Sequence, residues 1–304
     1  MRFATTVGLI SLIFTPALAA DTSDEINIME APPVPAWESS ELGDTIIVPL
    51  DSAPFPHESR AEGHTYGQEH YPADPHYTDN SVAIFVPADF DPQGPTNLLF
   101  YFHGWGNNIA KSLEDFKIRE MLVNSGRNAI LVFPEGPKDA PDSSGGRLEE
   151  PGTFKAICDD VLNVLMEHER ISETTLGEVY LSGHSGAYRV IGKGLEHGGI
   201  DDHITRVYLL DASYALLDQF AHWVADRPEA DRRLHSVFTE HLGGDNVGMM
   251  LRLQRLGVPY GLHEDTDAKD NPDLLNQHRA VFLYTTTLDH SGAVSWLEPW
   301  LKAD

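Results

Sequence analysis

The sequence predicts an α/β protein built on a mostly parallel central sheet with helices on both faces and no large cap domain. Two observations carry the first part: from residue 82 onward short apolar runs alternate with helical patterns, and a β-branched, aromatic run leads straight into Gly-His-Ser-Gly and another helix. The third is that about two dozen residues separate Asp211 from Ser236, room for one helix but not for a cap domain.

The strands are expected at Val82 to Val86, Asn97 to Phe102, Ala129 to Phe133, Val179 to Leu181, Arg206 to Leu210, Ser236 to Thr239 and Ala280 to Thr285. Between them, Phe154, Ile157, Val161, Leu162 and Leu165 share one helical face. Leu113, Phe116, Met121 and Leu122 do so less regularly until Gly126 stops the helix. Further helices are expected over Tyr188 to Glu196 and Tyr214 to Ala225. Another spans Asn246 to Leu256, with Asp245 as its cap and Gly257 at its end, and a last one contains Trp296, Trp300 and Leu301.

Residues 1 to 20 read as a signal peptide. Arg2 precedes an apolar run from Val7 to Phe14, and Ala17-Leu18-Ala19 offers the small-x-small site that signal peptidase requires. The mature chain is expected to start near Ala20 or Asp21 and to be secreted or periplasmic, since the run is shorter than the ~20 residues of a stable membrane anchor. Residues 21 to 80, rich in Pro, acidic residues and His, read as an N-terminal arm packed on the domain, with one short strand at Thr45 to Pro49; residues 81 to 304 form the domain itself.

Forty-seven acidic side chains against twenty-one basic ones give a net charge of −26, which repels nucleic acid and anionic lipid surfaces. Cys158 is the sole cysteine, so no intrachain disulfide forms, and its place in a helical pattern reads as packing. His57, His64, His70 and His76 with Asp74 match no compact ligand spacing, and neither a metal nor a cofactor is expected. Asp142-Ser143-Ser144-Gly145-Gly146-Arg147 follows the strand ending at Phe133 and could border the cleft, but reads as a flexible turn.

The chemistry concentrates at Val179-Tyr180-Leu181-Ser182-Gly183-His184-Ser185-Gly186-Ala187, which has the form of a nucleophile elbow: a serine on a tight strand-to-helix turn that needs small neighbours. A serine hydroxyl needs a base and donors for the developing oxyanion. The turn His103-Gly104-Trp105-Gly106 after the second expected strand can supply a backbone N–H at Gly104 or Trp105, and Gly186 another. His290, in the loop after the last strand, takes the position of the base.

These motifs, in this order, resemble the α/β-hydrolase superfamily of serine esterases and lipases over most of the chain from Val82; Ala187 stands where the common pattern has Gly. The resemblance implies acyl transfer, with Ser185 as nucleophile and His290 as base. For the acid that orients His290, three residues compete. Glu240 and Asp245 follow the later strand, the commoner position. Asp211, in Leu209-Leu210-Asp211-Ala212, is similar to the Leu-Asp-x-Ala placement of pancreatic-type lipases. Asp211 is the expectation; otherwise it caps a helix starting near Ser213. A small-molecule or exposed ester is the expected substrate. The alternatives are an amidase or peptidase with the same triad, and a non-catalytic binding protein on a hydrolase scaffold. The oligomeric state is not legible.

Overall fold

The computed structural model describes residues 35 to 304. Its strands are β1 (Glu38–Ser40), β2 (Gly43–Pro49), β3 (His64–Tyr66), β4 (Glu69–Tyr71), β5 (Ser81–Pro87), β6 (Thr96–Phe102), β7 (Ile130–Pro134), β8 (Leu176–His184), β9 (Ile204–Leu210), β10 (Arg233–Phe238), β11 (Tyr260–Glu264) and β12 (Ala280–Tyr284). The helices are α1 (Ala73–His76), α2 (Ile109–Asp115), α3 (Ile118–Ser125), α4 (Thr153–Glu167), α5 (Tyr188–His197), α6 (Leu217–Ala225), α7 (Gly243–Arg255), α8 (Asp265–Asp270) and α9 (Leu297–Ala303).

Side chains alternate across a strand, so an all-apolar strand must be covered on both faces. In β6, Leu98, Phe100 and Phe102 join one buried cluster, with Phe154 and Ile157 of α4, Val190 of α5, Phe220 of α6 and Met249 of α7. Leu99 and Tyr101 point the other way, into a second cluster with Leu113 of α2, Leu122 of α3, Ala268 of α8 and Trp300 of α9.

Ten strands form the main sheet in the order β1-β2-β5-β7-β6-β8-β9-β10-β12-β11, with β3 and β4 as a separate hairpin. The pairs β1/β2, β2/β5 and β5/β7 are antiparallel, and the remaining pairs are parallel. This is the mostly parallel sheet with helices on both faces that the sequence predicts. The chain leaves β6 toward β7 and returns to β8 on the other side, and ligand crevices in open α/β sheets lie at such a reversal, beyond the carboxyl ends of the strands. Of the segment read as an arm, residues 38 to 49 enter the sheet as β1 and β2. The proposed signal peptide and the start of the mature chain lie outside the described residues. Among the described residues, no helix is long and apolar enough to cross a membrane.

Several elements differ from expectation. The helix expected through Leu113 and Leu122 is two helices, because Lys117 takes a left-handed conformation at φ 56°. The break leaves Phe116 to face His184, with ring centroids 5.5 Å apart. Asp245 does not cap α7, which starts at Gly243; a short 3-10 turn over Glu240–Leu242 feeds into it and places Asp245 in its first turn. Helix α6 starts at Leu217, leaving Tyr214 in a loop. Strand β11 carries no strong signal, because an edge strand with Gly261 and an exposed Leu262 lacks a continuous apolar run. Cys158 is buried on α4, and burial pushes its thiol up.

The Asp142–Arg147 segment is anchored on both sides, contrary to the flexible turn expected. Asp142 accepts from Arg60 Nε at 2.6 Å and Nη2 at 3.1 Å. Arg147 donates to the carbonyls of Ala53 and Pro56. These bonds join residues far apart in sequence, which local composition does not reveal.

Candidate active site

Ser185 follows directly on β8 at φ 56°, a left-handed conformation that costs a non-glycine residue free energy and that is tolerated only where the surroundings enforce it. Its neighbours must be small. A Cβ on Gly183 would lie 2.6 Å from the Cβ of Ala187, and one on Gly186 would lie 2.6 Å from Cδ1 of Trp105. On the other side, a Cβ on Gly104 would lie 2.7 Å from that of Ser185, so the turn after β6 rests against the serine.

His103 and Glu135 hold that turn. The two side chains are buried, with His103 Nε2 3.1 Å from Glu135 Oε1. His103 Nδ1–H donates to the Gly104 carbonyl at 2.7 Å, and Glu135 Oε2 accepts the N–H of Ile109 at the start of α2. The C=O and N–H of one peptide point in opposite directions. Drawing the Gly104 carbonyl toward His103 therefore aims the Trp105 N–H away from it. The Trp105 indole, 46 % exposed, is itself fixed by donating Nε1–H to Ser143 Oγ at 2.8 Å and by an edge contact with Tyr66 of β3 at 5.0 Å.

Asp211, at the end of β9, is fully buried. Its Oδ1 accepts the Thr239 N–H at 2.9 Å, and its Oδ2 accepts the Thr239 hydroxyl at 2.9 Å and His290 Nδ1–H at 2.7 Å. Burial pushes this carboxyl up, but the bonds from His290 and Thr239 outweigh it and hold the group below its ordinary value. With Asp211 ionised, His290 carries its proton on Nδ1 and presents a lone pair at Nε2.

The same logic runs through a second arm. Because the Thr239 hydroxyl donates to Asp211, it accepts from His241 Nδ1–H at 2.6 Å, and His241 Nε2 then accepts from the Tyr214 hydroxyl at 2.9 Å. Burial raises the Tyr214 phenol, and the Ser185 hydroxyl beside it works against that rise. Ser185 and His290 face one cleft of about 780 Å³, with Trp105, Lys111, Phe116, His184 and Tyr214 among its walls, and they do not hydrogen-bond directly in this structure.

The structure thus brings Ser185, Gly186, Gly104 and Trp105 to one end of the sheet and joins His290 to Asp211. Glu240, which is exposed, and Asp245 make no bond to His290. Asp211 does not cap a helix near Ser213, since α6 starts later. Sequence reasoning did not assign His103, Glu135, His184, Thr239, His241 or Tyr214 to the site. Two of them had a usable signal: His184, adjacent to the elbow serine, and His103, adjacent to Gly104 in the turn expected to supply an oxyanion donor. The arm's histidines are spread out: His57 meets Glu150, His70 meets Thr65, and His76 donates to the Lys138 carbonyl. Among the described residues, the one group of potential ligands with its atoms within 4.8 Å of one another is Asp211, His241 and His290.

No protein-family model matches the chain, and no curated protein matches it. Solved structures similar to it include a ferulic acid esterase, at 13 % identity and TM-score 0.48, covering 73 % of this chain and 91 % of the other. The S954A mutant of the feruloyl esterase module from Clostridium thermocellum is 13 % identical with TM-score 0.49, covering 88 % and 95 %. An S-formylglutathione hydrolase from Agrobacterium tumefaciens is 11 % identical with TM-score 0.46, covering 88 % and 96 %. Likenesses at this level speak to neither substrate nor mechanism, which rest on the site itself.

Proposed function

We propose that the protein is a serine hydrolase that cleaves carboxylic esters through an acyl-enzyme on Ser185. The observation that carries this reading is the Asp211–His290 pair, a buried carboxylate 2.7 Å from Nδ1 of an imidazole that shares a cleft with an elbow serine. As the serine turns from Tyr214 toward His290, its proton passes to Nε2 and Oγ attacks the carbonyl; catalytic hydrogen bonds of this kind often tighten only with substrate in place. Gly186 and Trp105 are the proposed N–H donors to the oxyanion, and Gly104 sets their distance from the serine. Neither backbone N–H is committed elsewhere among the loop and turn hydrogen bonds. His290 then protonates the departing alcohol, and a water activated by the same imidazole frees the acid. The reading calls for no cofactor or metal.

The cleft is open, and β9 and β10 are joined by α6 alone, with no cap domain among the described residues. Esters of modest size, or an ester exposed on a larger molecule, suit such a site. The full chain is expected to turn over a panel of short activated esters faster than the matching amides or peptides. Efficient peptide hydrolysis with negligible ester turnover would make the protein a peptidase instead, and no turnover of either would favour a binding role. Export is part of the same proposal and rests on the leader-like composition of residues 1 to 20.

A further inference from the structure

His184 precedes the elbow serine, and its side chain touches the other two parts of the site. Its Nε2–H donates to the main-chain carbonyl of His290 at 3.0 Å, and its ring lies 4.4 Å from the His290 ring, centroid to centroid. On its far side Nδ1 faces the turn after β6, where a Cβ on Gly104 would come within 3.3 Å of it. Phe116, at the α2/α3 break, packs edge-on against the same ring. The side chain is buried, and Nδ1 has no hydrogen-bond partner.

We infer that His184 is a positioning residue for the base: its one N–H holds the His290 backbone while its ring backs the His290 imidazole, so that Nε2 of His290 stays aimed at Ser185. The inference rests on the Ser185–His290 reading above. A purely packing role fits the contacts poorly. Leaving Nδ1 buried without a donor costs free energy that a hydrocarbon ring of the same shape avoids, so the donor on the opposite nitrogen is what a histidine adds here. Burial, and then the neighbouring His290, push the His184 imidazole down to about 4, so at neutral pH it carries one proton, already committed to the His290 carbonyl, and no charge to oppose the imidazolium formed during catalysis. The loop that carries His290 has other anchors further back, where Thr285 and Thr287 donate to Asp265 at 3.0 Å each, but these lie on the strand side of the histidine.

His184→Phe keeps the ring and its contact with Phe116 but removes the donor, whereas His184→Gln restores an N–H at similar reach. In the full chain assayed with p-nitrophenyl acetate, His184→Phe is expected to lower kcat by about 10- to 100-fold with KM within about twofold, and His184→Gln to recover kcat to within about fivefold of wild type, as expected for a reacting group displaced by an ångström or less. Wild-type kcat in a folded His184→Phe variant, a loss confined to KM, or equal losses in both variants would overturn the inference. If His184→Phe does not fold, His184→Gln decides: kcat near wild type supports the donor role, and a Gln variant that is folded but reduced by about tenfold or more overturns it. Ser185→Ala run in parallel separates the two levels. An active Ser185→Ala means that the hydrolase reading has failed, while an inactive one beside a fully active His184→Phe removes only His184.

Discussion

Ser185→Ala is expected to reduce the hydrolysis of activated esters by a factor on the order of a million in kcat, as in other enzymes whose nucleophile acts as one unit with its base. The fold should survive. Alanine removes a single oxygen from a position whose left-handed backbone is imposed by β8, Gly183 and Gly186, and no hydrogen bond within the structure depends on that oxygen as sole partner. The residual rate would then reflect the oxyanion donors and the cleft alone. Stopped assays on purified variant, alongside a thermal unfolding midpoint, check both halves. A folded variant with undiminished turnover would remove Ser185 from the chemistry.

Asp211→Asn is expected to lower turnover by about ten-thousand-fold, the loss seen when an orienting acid becomes an amide. The mechanism is a change of tautomer. Asparagine can still accept the Thr239 N–H through Oδ1, but its Nδ2 then faces both the Thr239 hydroxyl and His290 Nδ1. An amide N–H there makes Nδ1 of His290 an acceptor and drives its proton to Nε2, where the base needs a lone pair. The amide keeps the volume of a fully buried side chain, so the loss should fall on kcat and not on folding. If Asp211→Asn stays near the wild-type rate while Glu240→Gln or Asp245→Asn collapses, the orienting acid lies after β10 instead.

What the sequence revealed, and what it hid, follows from how local each signal is. The elbow was legible because one run of nine residues holds the strand, the turn and the small neighbours that the turn requires. The parallel strands were legible because burial on both faces makes them continuously apolar. His290 could be placed by its position after the last strand, but its link to Asp211 could not be chosen from sequence. Asp211, Glu240 and Asp245 all sit near strand ends, and a shift of one residue changes which of them faces the imidazole. In the structure, Asp211 itself takes a left-handed backbone at φ 51°, and Thr239 lies just past the end of β10, where its N–H and hydroxyl both reach the carboxylate. The His103–Glu135 pair and the Tyr214–His241–Thr239 arm were hidden for the same reason. Their partners lie 32 and 27 residues apart, and neither spacing marks a local motif. The break between α2 and α3 was missed because Lys117 is not a residue that announces a left-handed turn.

The central claim is that Ser185 is a nucleophile activated in its own cleft, and covalent labelling tests it without knowledge of the substrate. Native protein treated with a fluorophosphonate probe and digested should carry one adduct, on the peptide containing Ser185, with labelling lost in Ser185→Ala and strongly slowed in Asp211→Asn. Folded protein that takes up no probe, or an adduct on a different serine that persists in Ser185→Ala, would contradict the account.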